Sequence, residues 1–264
     1  MHAQDFPTKP IRLVTPGLGG SADFVARVIA QGLTTALNQQ IIVENRPNGP
    51  IPAEIVARSS ADGYTLLISA NSLWIGKLLK PELSYDSIKD FTPLTLATTS
   101  PNVLLVPPSL PAQSVKELIA LAKVKPGQLN YGSGASGASS HLAAELLKAM
   151  AGIDLVRIPY ASNATQITDL IAGRIQVMFS NATAAPPHLK AGRLRGLAVT
   201  TAKPSPLFPD LPTVAATMPG YESAAINGIF APARLPAPLV KRLNQELVRV
   251  VTAPEARRDL RRVG

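Results

Sequence analysis

Pro16-Gly17-Leu18-Gly19-Gly20-Ser21-Ala22-Asp23 separates a short β-rich run, residues 11–15, from a stretch with helical apolar spacing. Gly17, Gly19 and Ala22 satisfy the G-x-G-x-x-A pattern of a dinucleotide-binding turn, and Glu44 closes the next β-rich run where a ribose-binding acid would stand. On that chemistry the chain would be an NAD-dependent oxidoreductase. Two features oppose it. Glu44 follows Gly19 by 25 positions, more than the usual interval of about 20, and Pro16 removes a backbone donor just ahead of the loop. A simpler chemistry needs no nucleotide: three glycines bare backbone N–H groups at a helix start, where the helix dipole favours an anion. A tight turn holding nothing is the third reading.

A second segment has the same setting. Tyr131-Gly132-Ser133-Gly134-Ala135-Ser136-Gly137-Ala138-Ser139-Ser140-His141 lies between a β-rich run and an apolar helix. Its small residues let a ligand approach the backbone, and its hydroxyls can donate to carboxylate oxygens; a flexible linker is the alternative. A G-x-S-x-G nucleophile elbow would require glycine where Ala138 stands, so hydrolase chemistry fails there. His141, at a helix start, reads as a capping or packing residue. The three histidines, His2, His141 and His188, are far apart, and no His/Asp/Glu cluster has metal-ligand spacing. His188, after Pro186-Pro187, is expected on a surface turn. Trp74 is expected to pack in the core, and Asp169 to be a solvated helical acid.

The elements that would hold these segments alternate. Residues 11–15, 41–43 and 64–68 read as strands, with helices over 21–37 and 53–59 between them. Phe24, Val25, Val28, Ile29, Leu33 and Leu37 share one face of the longer helix. Residues 94–106 form an extended stretch broken at Ser100-Pro101. Ser114 and Glu117 make a capping box for a helix to Lys123. Strand 129–131, helix 139–151, strand 155–159, helix 164–172 and strands 177–179 and 197–200 follow. Residues 226–231 are extended and 238–252 helical. Two β-α-β series joined by extended crossings imply two α/β units.

Composition excludes several classes. The 264 residues contain no cysteine, so disulfides and thiolate chemistry are absent, and an apolar content of 46% argues against disorder. The net charge of +9 suggests nucleic acid until it is mapped: from Arg234 onward eight bases face three acids. That tail reads as an amphipathic helix with a solvated basic face, without the interleaved aromatics that would stack on bases. No apolar run has the roughly 20 residues of a membrane span, so the chain is not expected to be membrane-inserted. His2-Ala3-Gln4 has the form of a cleavage-site stub, which would place the mature start near Gln4.

Longer motifs then fall in order: Phe6-Pro7-Thr8-Lys9-Pro10-Ile11-Arg12, the 16–23 loop, Val43-Glu44-Asn45-Arg46-Pro47, Asp62-Gly63-Tyr64-Thr65-Leu66, Lys89-Asp90-Phe91-Thr92-Pro93, Asn130-Tyr131-Gly132-Ser133, Pro159-Tyr160, Pro209-Asp210-Leu211-Pro212-Thr213-Val214 and Pro219-Gly220-Tyr221-Glu222. With them the chain resembles, over essentially its whole length, the Bug-type periplasmic substrate-binding receptors of tripartite tricarboxylate transporters. The resemblance implies an α/β, two-lobed Venus flytrap of the type 2 periplasmic-binding class, each lobe a mainly parallel sheet flanked by helices. Lobe 1 would be residues 1–102 plus 226–264 and lobe 2 residues 103–225, with hinge crossings near 100–103 and 225–228. It also implies a periplasmic, non-catalytic protein without cofactor or metal. Such a protein captures a di- or tricarboxylate, acidic amino acid or aromatic acid between its lobes and delivers it to a membrane permease. Ligand contacts carried over by motif are Gly19, Gly20, Ser21, Asp23 and Ser72 on lobe 1, and Ser133, Ser136, Tyr160, Asn163, Ser180 and Asn181 on lobe 2. There are departures. Ala135 and Ala138 replace a glycine and a serine common in the second loop, and residues 48–52 replace a glycine-rich stretch. Ser180 replaces an acid, which favours a plain acid over an amino acid. The resemblance would also leave the family's closing strand and long helix missing before Gly264, and exposed apolar surface on lobe 1 would be expected to follow. A degenerate receptor that binds nothing is the remaining alternative.

Overall fold

The computed structural model describes residues 6–17, 21–46 and 50–260. Along the chain they form β1 (Ile11–Pro16), α1 (Ser21–Leu37), β2 (Ile41–Arg46), α2 (Ile51–Ala57), β3 (Thr65–Ser69), α3 (Asn71–Leu79), β4 (Phe91–Val106), α4 (Val115–Val124), β5 (Asn130–Ser133), α5 (Ser139–Ala151), β6 (Val156–Pro159), α6 (Asn163–Ile171), β7 (Val177–Asn181), α7 (Pro186–Lys190), β8 (Arg195–Val199), β9 (Ala224–Pro232), α8 (Ala237–Thr252) and α9 (Pro254–Leu260). The chain divides into two compact units, Met1–Thr99 with Ile226–Val263 and Ser100–Ala225. It passes from one to the other inside β4 and again inside β9.

In the first unit β1 lies between β2 and β3, parallel to both, and β9 joins β3 antiparallel. Side chains alternate across this sheet. Leu13, Leu66 and Ile68 pack with Ile29, Leu33 and Leu243 on one face; Val14 and Leu67 pack with Val56 and Phe230 on the other. Burial on both faces explains why Leu66, Leu67 and Ile68 follow one another without hydrophobic–polar alternation. Each fully buried aliphatic side chain of this kind contributes about 1.5–3 kcal/mol. The buried stripe of α1 is Val25, Ala26, Ile29, Leu33 and Leu37, so the helix begins and ends where its apolar spacing does. The basic tail divides into α8 and α9 at Pro254. Leu239, Leu243, Leu247 and Val250 of α8 face the core, while Lys241 and Arg249 are exposed.

In the second unit β7, β5 and β6 are parallel, with β5 in the middle, and β4 runs antiparallel to both β7 and β8. Both sheets are therefore mixed, with a parallel core and an antiparallel crossing strand. α4 and α5 cover one face, over Leu104, Tyr131 and Phe179; α6 and α7 cover the other, over Val103, Leu105 and Met178. Ser114 caps α4 as expected, its Oγ accepting from the Glu117 amide at 3.2 Å, but the Glu117 carboxylate reaches one residue further back than a capping box and accepts from the Gln113 amide at 2.7 Å. Gly132 is required by close packing, because a Cβ there would lie 2.6 Å from Ile175 Cδ1 and 2.8 Å from Gln166 Cγ.

Some elements differ from the sequence reading. β4 is continuous from Phe91 and is not broken at Ser100-Pro101. Pro101 stands immediately before the first β4–β7 pair, Asn102 with Asn181, where its missing N–H leaves no gap in that ladder. His188 lies within α7 instead of on a surface turn. Trp74 packs edge-on against Phe230 at 5.0 Å yet keeps 45% of its surface exposed. Exposed apolar side chains of the first unit include Leu78 and Ile88.

Candidate functional site

In the first unit the parallel strands β1 and β3 bring their carboxyl ends to one edge, so the start of α1 and the start of α3 lie there together. Gly19 and Gly20 lie outside the described residues. Gly17, directly after β1, donates its N–H to the Arg46 carbonyl at the end of β2 at 2.8 Å. Ser21 opens α1. Asp23, in its first turn, is buried; its Oδ1 accepts from Asn45 Nδ2 at 2.8 Å and pairs with Arg27 at 3.0 Å. That carboxylate anchors the first turn of α1 to β2. Ser72 is exposed on the first turn of α3, and the neighbouring Asn71 accepts the Ile226 amide at 3.0 Å.

Glu44 does not present a free carboxylate at the end of β2. Arg12 donates to it through Nε at 2.8 Å and pairs through Nη2 at 2.7 Å, and Arg46 pairs with its other oxygen. Burial would raise its pKa, but the two arginines outweigh it and hold the carboxyl below its ordinary value. The acid that the dinucleotide reading needs is already occupied.

In the second unit the parallel strands β5, β6 and β7 end together. Ser133, Ser136, Tyr160, Asn163, Ser180 and Asn181 therefore gather at one edge of the sheet. The loop after β5 is held by a residue the sequence reading passed over. Arg157, on β6, donates from Nε to Ser133 Oγ at 2.7 Å, from Nη1 to Ser136 Oγ at 3.0 Å and from Nη2 to the Gly134 carbonyl at 2.8 Å. Its local signal was one base in an apolar strand; only the β5–β6 register sets it beside the loop. Ser133 is fully buried, so its hydroxyl shapes the loop from beneath, whereas Ser136 is exposed.

The loop closes into α5 through small polar contacts. Gly134 donates its N–H to Ser140 Oγ at 3.1 Å, and Gly137, at φ +84°, donates to His141 Nδ1 at 3.1 Å. The latter bond requires a bare Nδ1. Burial, and then the charge of Arg157, keep the imidazole pKa below its ordinary value. His141 thus caps the loop, as expected. α5 starts at Ser139 after the cap residue Ala138, whose methyl side chain cannot accept from the first-turn amides that every helix leaves without an intrahelical acceptor.

Tyr160 donates its hydroxyl to Asp169 Oδ2 at 2.8 Å, and Arg174 Nη1 donates to Asp169 Oδ1 at 2.7 Å. Asp169 is therefore a bridging acid, not a merely solvated one. Burial and this hydrogen bond push the Tyr160 phenol up to about 12. Asn163 opens α6, whose cap is Ser162. Ser180 is buried, and Asn181 Oδ1 accepts from Thr183 Oγ1 and the Ala184 amide, both at 3.2 Å. Among the described residues no group of three or more His, Asp or Glu side chains is placed to hold a metal, and no helix is long and apolar enough to cross a membrane.

Two α/β units joined by two crossing strands, each gathering strand ends and helix starts along one edge, define the fold of the periplasmic solute-binding proteins. Residues 25–264 match the model of the tripartite tricarboxylate transporter family receptor, TctC, and the chain belongs to that family. The UPF0065 protein in the tcbD-tcbE intergenic region of Pseudomonas sp. (strain P51) is 36% identical over 98% of this chain and 79% of its own length. The structure of R. palustris Rpa4515 with adipate superimposes with a TM-score of 0.88 at 38% identity, covering 98% of this chain and 89% of that one. MatC (Rpa3494) from Rhodopseudomonas palustris with bound malate gives a TM-score of 0.86 at 29% identity, covering 98% and 90%. The chain is thus a solute-binding receptor of the TctC/Bug type.

Proposed function

We propose that this receptor works outside the cytoplasm, without catalysis, by capturing a small carboxylate and delivering it to the membrane permease of a tripartite tricarboxylate transporter. Residues 1–102 with 226–264 and residues 103–225 would act as two lobes that close on the ligand about crossings near 100–103 and 225–228. A ligand can drive such closure only by binding the closed form more tightly. The observation that carries the reading is the start of α5: uncapped amides, an exposed Ser136 and a fixed guanidinium at one sheet edge suit an anion. The bound adipate and malate of the two structural relatives support a dicarboxylate, and Ser180, in place of an acid, supports one without an amino group.

Thermal unfolding against a panel of C4–C8 dicarboxylates and aromatic acids tests this. At 100 times its Kd a ligand stabilises the folded form by about 2.7 kcal/mol, an upward shift of roughly 5–10 °C for a chain of this size. A flat response to every acid in the panel would contradict the proposal.

A further inference from the structure

We propose that Asn102, on the crossing strand β4, is a ligand-binding residue whose side-chain amide donates to the carboxylate held at the start of α5. The assignment rests on the carboxylate-receptor reading above and names a donor that the sequence reading did not include. Asn102 is 1% exposed, yet among the described residues its Nδ2 has no hydrogen-bond partner. Buried amides that find no acceptor are rare, because their lost hydration goes unreplaced. The rest of the residue is fixed. Its backbone N–H donates to Thr200 Oγ1 at 2.8 Å, and its carbonyl accepts from the Thr200 amide at 3.0 Å. Its Oδ1 accepts from the hydroxyl of Ser139, the first residue of α5, at 3.2 Å. The side chain is thus aimed at the helix start, with one end engaged and the donor end unsatisfied.

The surroundings identify the missing partner as an acceptor carrying negative charge. β4 runs antiparallel to β7, so Asn102 pairs with Asn181 at the carboxyl end of that strand. The same edge holds the uncapped first-turn amides of the 13-residue α5 and the Arg157 guanidinium, donors without an acid on that loop to answer them. A carboxylate has two oxygens with several lone pairs, enough to accept from a first-turn amide and from Asn102 together.

Titration calorimetry of the full chain with the tightest-binding acid of the C4–C8 panel tests the assignment in two variants. Asn102→Leu removes an unpartnered NH2 group together with the single bond that Oδ1 accepts from Ser139, two opposing effects, so its unliganded melting temperature is expected to change little, while affinity falls at least tenfold. Asn102→Asp keeps the acceptor for Ser139 but sets a carboxylate against the ligand, and its affinity is expected to fall at least 100-fold. A third readout needs no variant: the Asn102 side-chain NH2 resonances of the wild-type chain should shift saturably with ligand. Folded variants that bind within twofold of wild type, or unmoved Asn102 resonances at saturation, overturn the assignment and leave the receptor reading standing. Failure of the wild-type chain to bind any acid of the panel overturns both.

Discussion

Arg157 Nε lies 2.7 Å from Ser133 Oγ, and through this bond β6 grips the loop that leads into α5. The guanidinium is planar, so its three hydrogen bonds to Ser133, Ser136 and Gly134 fix the loop in one orientation and add a permanent positive charge. A loop fixed in advance spares the ligand the entropy of ordering it.

Arg157→Ala is expected to weaken carboxylate binding by 10- to 100-fold while lowering stability by no more than about 2 kcal/mol, because the residue is half-buried and leaves no large cavity. Arg157→Lys keeps the charge but not the fork and should fall between. Calorimetric titration beside denaturant unfolding measures both. Equal binding by all three proteins would show that the guanidinium does not shape the site.

His141 predicts a pH dependence. Its folded-state pKa is depressed, by burial first and then by Arg157, so below its ordinary value of 6.5 the unfolded chain takes up a proton that the folded chain resists. The stability contributed by the neutral imidazole is present above pH 6.5 and is lost as pH falls through the lower folded value. Unfolding free energies of wild type and His141→Gln across pH 5–8 should converge at the acid end. Parallel curves would contradict the bond from the Gly137 N–H to Nδ1.

Glu44 separates the receptor from the oxidoreductase. With its carboxylate engaged by Arg12 and Arg46, Glu44→Gln is expected to cost about 1 kcal/mol at pH 7 and to leave carboxylate affinity within twofold. Its folded-state pKa is depressed, so the lost stability should vanish as pH falls below the ordinary carboxyl value of 4.5. NAD binding by the wild-type chain, abolished by this substitution, would reverse the assignment.

The long helices were legible because local signals agreed. α1 runs Ser21–Leu37 and α5 Ser139–Ala151, each bounded by small or turn-forming residues at the limits of its apolar spacing. β4 was not, since a proline inside an apolar run reads as a break until the β7 register shows that Pro101 precedes the first pair. At the site, the residue types at the strand ends were readable but their partners were not. Arg157 reaches Ser133 across 24 positions and Ser139 reaches Asn102 across 37, contacts set by sheet register and without local trace. Asp169 looked solvated for a more local reason: its partner Tyr160 sits in the loop before α6, outside the helical spacing by which Asp169 was read.

Receptor function here depends on a carboxylate binding at the first turn of α5. Amide chemical shifts of the 15N-labelled chain during titration with adipate, malate and the other acids of the panel test it most directly. Saturable shifts are expected, largest at Ser139, Ser140 and His141, with Gly134 and Ser136 following. Saturation with those resonances unmoved, or no saturation by any acid, would contradict it.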